Sequence, residues 1–72
     1  MNKKNKIKIM VNGKQMTVNI KFSLKNLMDH LKLPIKKVAI ELNREIVNKQ
    51  RISKIILKSG DKIEIVNFIG GG

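Results

Sequence analysis

Ile7-Lys8-Ile9-Met10-Val11-Asn12-Gly13-Lys14-Gln15-Met16-Thr17-Val18-Asn19-Ile20 sets two alternating stretches on either side of an asparagine–glycine pair. A period of two is that of a half-buried strand. Asn-Gly supplies the two consecutive residues that best accept positive φ, as a type I′ turn requires. The stretch therefore predicts a β-hairpin with Ile7, Ile9, Val11, Met16, Val18 and Ile20 on the covered face. Just beyond it the period changes. Ser23 is suited to an N-cap, and Leu24, Leu27, Met28 and Leu31 fall at i, i+3, i+4 and i+7. That apolar stripe predicts a helix that stops before Pro34. Burying each of these side chains contributes roughly 1.5–3 kcal/mol, enough to hold the helix on the hairpin.

After Pro34, Val38-Ala39-Ile40-Glu41-Leu42 reads as a third strand and Asn43-Arg44 as a turn, with Ile46-Val47 a short strand or edge. The segment from Asn48 to Leu57 has only partial helical spacing and predicts a single helical turn or an irregular stretch. Lys58-Ser59-Gly60-Asp61 has turn composition. Lys62 to Asn67 is the last strand, with Ile63 and Ile65 inward and Lys62, Glu64, Val66 and Phe68 on the opposite face. The order β-β-α-β-(short β)-β describes an α+β domain, a mixed sheet with one main helix on one face. Periodicity does not fix the strand order.

With 72 residues the chain is expected to form one domain, and 42% hydrophobic residues suffice for its core. The absence of cysteine excludes disulfides, thiolate nucleophiles and cysteine-rich zinc sites, and suits a reducing cytoplasm. No apolar run approaches the ~20 residues of a membrane span, so a cytoplasmic protein with no membrane partner is expected. Residues 1–6 are expected to be a disordered basic extension. The formal charge of +11 raises nucleic acid as a partner. Against it, the lysines are scattered from Lys3 to Lys62, only Arg44 and Arg51 are arginines, and there is no tyrosine or tryptophan to stack bases. His30 is the only histidine and lacks a partner of metal-ligand type, so no metal site is expected. Asp61, Glu41, Glu45 and Glu64 are separated in sequence and read as turn, edge and surface residues.

The last six residues are Asn67-Phe68-Ile69-Gly70-Gly71-Gly72. A glycine run buries no side chain and loses much entropy on ordering, so it adds nothing to a core. It does make a slim, flexible stalk over 68–72, expected to carry a free carboxylate on Gly72 into a narrow cleft of another protein. The outward parity of Phe68, Val66 and Met10 suggests an apolar patch that meets such a partner.

Val11-Asn12-Gly13-Lys14, Val38-Ala39-Ile40-Glu41-Leu42-Asn43 with Glu45-Ile46-Val47, and Gly60-Asp61-Lys62-Ile63-Glu64-Ile65-Val66 followed by the glycine tail together resemble the ubiquitin-like β-grasp sulfur carriers. The likeness is greatest to the carriers of thiamine (thiazole) biosynthesis and covers nearly the whole chain from Ile7. It implies a β-grasp fold with the first and last strands parallel and adjacent at the sheet centre. It further implies that a ubiquitin-activating-like adenylyltransferase consumes ATP to adenylate Gly72. Sulfur from a donor such as a cysteine desulfurase persulfide then converts the adenylate to a thiocarboxylate, which is delivered to thiazole synthase. On this resemblance Gly70 and Gly71 enter partner active sites, Phe68 and Ile69 contact the partners, and the chain binds no cofactor and is not itself an enzyme. The chemistry agrees: a carboxylate is an anion at neutral pH and must be activated before a sulfur nucleophile can attack it. Gly70 to Gly72 precede no helix and so form no phosphate-cradling loop for that activation. The family often has glycine where this chain has Arg44. Alternatives within the class are the small subunit of molybdopterin synthase, another sulfur carrier, or a ubiquitin-like protein modifier. The alternative from another class is a basic β-grasp RNA-binding module.

Overall fold

The computed structural model describes residues 5–67. β1 (Lys6–Val11) and β2 (Lys14–Asn19) pair antiparallel in unbroken register from Lys6↔Asn19 to Val11↔Lys14. Asn12 and Gly13 between them have φ of 51° and 84°, the two positive values the sequence called for. Ile9 and Val18 are buried, and Ile7, Val11 and Met16 pack against the core.

Two expectations for this hairpin are corrected. Ile20 does not belong to the covered face: β2 ends at Asn19, Lys21 turns the chain away at φ 68°, and Ile20 is 38% exposed. Nor does the basic extension reach residue 6. Lys6 is paired in β1, and the Asn5 carbonyl accepts a hydrogen bond from the Ile20 amide at 2.9 Å. The strand alternation that covers Ile7 and Ile9 carries the ladder back to Lys6.

Helix α1 (Leu24–Leu31) begins in a capping box: Ser23 Oγ accepts from the Asn26 amide and Asn26 Oδ1 accepts from the Ser23 amide, each at 2.9 Å. It ends where Lys32 takes φ 58° and donates its amide to the Asp29 carbonyl. Leu24, Leu27 and Met28 are buried, and Leu31 is half-buried. A 3₁₀ turn at Ile35–Lys37, which the sequence did not signal, leads from Pro34 into β3 (Val38–Leu42). The Asn43–Arg44 turn then joins β3 to the two-residue β4 (Glu45–Ile46). The weak segment resolves into a 3₁₀ helix, Lys49–Lys54, that buries Ile52. Lys49 Nζ ties it to the preceding elements by donating to the carbonyls of Ile35 (3.0 Å) and Val38 (2.7 Å). β5 (Lys62–Asn67) closes the fold.

The sheet order is β2-β1-β5-β3-β4. The last strand lies between β1, to which it is parallel, and β3, to which it is antiparallel. One face of the sheet supplies Ile9, Val18, Val38, Ile40 and Ile63 to a single core shared with Leu24, Leu27, Met28, Ile52 and Leu57. This five-stranded mixed sheet with one main helix is the ubiquitin-like β-grasp. No described element packs on its opposite face. Among the described residues no helix is long and apolar enough to cross a membrane.

Candidate functional site at the end of the last strand

The expected working group follows β5 in sequence, so the way β5 is held sets where that group starts. β3 accompanies β5 along its whole length, from Leu42↔Ile63 to Val38↔Asn67. β1 accompanies it only at Met10↔Lys62 and Val11↔Ile63. Two turn asparagines complete the grip. At the start of β5, the Asn43 amide donates to the Lys62 carbonyl (2.8 Å), and Asn43 Oδ1 accepts from the Lys62 amide (2.9 Å). Further along, the Asn12 amide donates to the Ile63 carbonyl (2.9 Å), and Asn12 Oδ1 accepts from the Ile65 amide (2.7 Å). The turn before the strand is closed by Asp61, whose Oδ2 accepts from the Lys58 amide (2.8 Å) and Oδ1 from Asn43 Nδ2 (3.0 Å). Asp61 is thus committed to turn geometry, the role its sequence context suggested.

The open face carries the residues expected to meet partners. Val66 points outward and is 57% exposed, opposite Ala39 of β3. Met10 shares that face but lies beside Lys62 at the other end of β5. Four residues of strand, about 13 Å, separate the Met10 and Val66 levels, so the structure does not bring the two together. Phe68, Ile69, Gly70, Gly71 and Gly72 lie outside the described residues. A row across the same face reads Ile46, Glu41, Glu64, through the pairs Glu41↔Ile46 and Glu41↔Glu64. Ile46 is 71% exposed, the most open large apolar side chain among the described residues. Sequence reasoning did not place it in the patch. The available signal was the two-residue turn at Asn43-Arg44, whose hairpin register sets Ile46 opposite Glu41.

The other titratable groups do not gather. His30 is exposed on α1, and Asp29 is ion-paired with Lys25 at 2.9 Å on the same helix. Among the described residues no three His, Cys, Asp or Glu side chains converge as metal ligands.

A small β-grasp domain whose central last strand leads into a glycine tail defines the class. A sequence model of the ThiS family matches residues 9–72, and the chain belongs to that family. It is similar to the sulfur carrier protein ThiS of Bacillus subtilis, with 40% identity over 50 residues, 69% of this chain and 76% of that protein. The solved structure of a thiamine biosynthesis protein (ThiS) from Geobacter metallireducens superposes with a TM-score of 0.80 at 32% identity, covering 92% of this chain and all of that one. It is also similar to a thiazole synthase of Paramagnetospirillum magneticum, 38% identical over 66 residues, 92% of this chain. The chain spans about a fifth of that enzyme's length, 20%, and the same fraction of the thiazole synthase of Magnetococcus marinus.

Proposed function

We propose that this protein is a sulfur carrier of thiamine biosynthesis, and that its Gly72 carboxylate is adenylated and then converted to a thiocarboxylate for thiazole formation. The single observation that carries this is the ThiS family match, which spans residues 9–72 and so includes Gly72. The architecture supports it. A stalk of Gly70 and Gly71 puts no Cβ beside the reacting carbonyl, and the strand before it is gripped on both edges. The division of labour follows from the chain's own residues. It has no cysteine among its 72 residues to carry a persulfide, so sulfur donation falls to a partner, as activation does on this reading.

Those partners are, by class, an ATP-dependent adenylyltransferase related to ubiquitin-activating enzymes, a persulfide donor and a thiazole synthase. ATP is bound by the first of these. Adenylation joins the carboxylate oxygen to the α-phosphorus and releases pyrophosphate. Sulfur attack at the carbonyl then releases AMP, and reduction of the resulting acyl disulfide by a thiol leaves the thiocarboxylate. Phe68, Ile69 and the exposed Val66 form the contact that accompanies the tail into these sites.

Intact-mass and fragment-mass spectrometry of the protein from its own cells tests the proposal. A fraction of molecules should end at Gly72 with one oxygen replaced by sulfur on that residue. RNA affinity that survives deletion of Gly72, with no adenylation of the intact chain, would favour the RNA-binding module instead.

A further inference from the structure

Asn12 is accounted for by its turn alone as long as only the hairpin is considered. Its side chain, however, reaches a residue 53 positions away. β1 ends at Val11, opposite Ile63, while β5 continues to Asn67. In a parallel ladder, a residue that donates its amide to one carbonyl accepts, through its own carbonyl, from the amide two residues further on. Asn12 makes the first of these bonds, to the Ile63 carbonyl at 2.9 Å. Its backbone then swings into the hairpin at φ 51°, and its side-chain Oδ1 takes the Ile65 amide at 2.7 Å instead. One side chain thereby extends the β1–β5 pairing one hydrogen bond past the end of β1, toward the tail. Glycine would satisfy the same φ without making that bond.

We infer that Asn12 is a positioning residue for the carrier reaction: its side chain anchors the β1-side edge of β5 at Ile65, so that the tail leaves from a strand held on both edges. This rests on the sulfur-carrier reading above. From Ile65, Gly72 is seven residues away and at most about 25 Å distant. Without the Asn12 bond, only β3 restrains the last residues of β5, and the base of the tail pivots about that single edge. A partner pocket that accepts the tail in one direction then meets the competent arrangement in a smaller fraction of molecules, which raises the apparent dissociation constant by that fraction.

The test compares the full chain with Asn12→Gly, which keeps the positive φ and removes the acceptor, and Asn12→Asp, which keeps an acceptor oxygen. The readouts are carrier-dependent ATP–pyrophosphate exchange by the adenylyltransferase, amide hydrogen exchange at Ile65, and thermal unfolding. Asn12→Gly is expected to raise the KM for the carrier about three- to tenfold with kcat little changed, and to speed Ile65 exchange. Asn12→Asp should stay near the unaltered chain in both. A lowered melting temperature with unchanged KM would mean a purely structural role and overturn the inference, as would equal KM changes in both variants. Should Asn12→Gly fail to fold, the unaltered chain still decides: an Ile65 amide that exchanges as freely as an unprotected one contradicts the anchor. No exchange activity with the unaltered chain would count against the sulfur-carrier reading instead, and the Ile65 amide would still report on Asn12.

Discussion

Arg44 occupies φ 73° in the turn between β3 and β4, a conformation that brings the Cβ of an L-residue close to its own backbone. Arg44→Gly removes that strain at some cost in unfolded-chain entropy. It should raise stability by up to about 1 kcal/mol, read as a higher urea midpoint at unchanged slope. Leu27 makes the opposite case. Its side chain is wholly buried between α1 and the sheet, and Leu27→Ala should cost about 2–5 kcal/mol. In a domain of this size that is much of the total, so circular dichroism at 37 °C should show a largely unfolded population. Residues whose burden is local were legible in the sequence. Ser23 as N-cap, Leu24, Leu27 and Met28 as a buried stripe, and Asn12-Gly13 as a turn follow from spacings of a few positions. The second tasks of Asn12 and Asn43, holding β5 through their side chains, depend on partners 53 and 19 positions away, and no local pattern encodes them.

Among the elements, β3 and β5 carry a conflict of like charges. Glu41 and Glu64 stand directly opposite each other, and like charges in that position are destabilising. Glu41→Lys should therefore stabilise the domain by about 0.2–1 kcal/mol at low ionic strength, with a smaller gain as salt is added. Equal stability of the variant and the parent across a salt series would show that solvent already screens the pair. The four longer strands and the main helix were legible because each keeps its period over five or more residues, whereas the two-residue β4 was read from the turn before it. The 3₁₀ turn at Ile35–Lys37 was not, since three residues after a proline give no period to read. The outward placement of Ile20 was missed for a related reason: its alternation with Val18 continues beyond the point where Lys21 turns the chain out of the sheet. Strand order was beyond reach of periodicity, because β1 and β5 meet across more than 50 residues of intervening chain.

For the molecule as a whole, the fold places β1 and β5 side by side, so that β5 ends at Asn67 in the middle of the sheet and not at an edge. Val66 and Ile46 are exposed apolar side chains on the open face, and under the proposed function they are the ones for a partner to cover. The central claim is that the carbonyl of Gly72 is the group on which the chemistry happens. The most direct test is reconstituted adenylation followed by sulfur transfer, with the intact chain, a chain amidated at Gly72, and a chain lengthened by one bulky residue after Gly72. The account predicts a thiocarboxylate on Gly72 of the intact chain alone, with neither altered chain supporting thiazole formation. Normal product from the amidated or lengthened chain would contradict it.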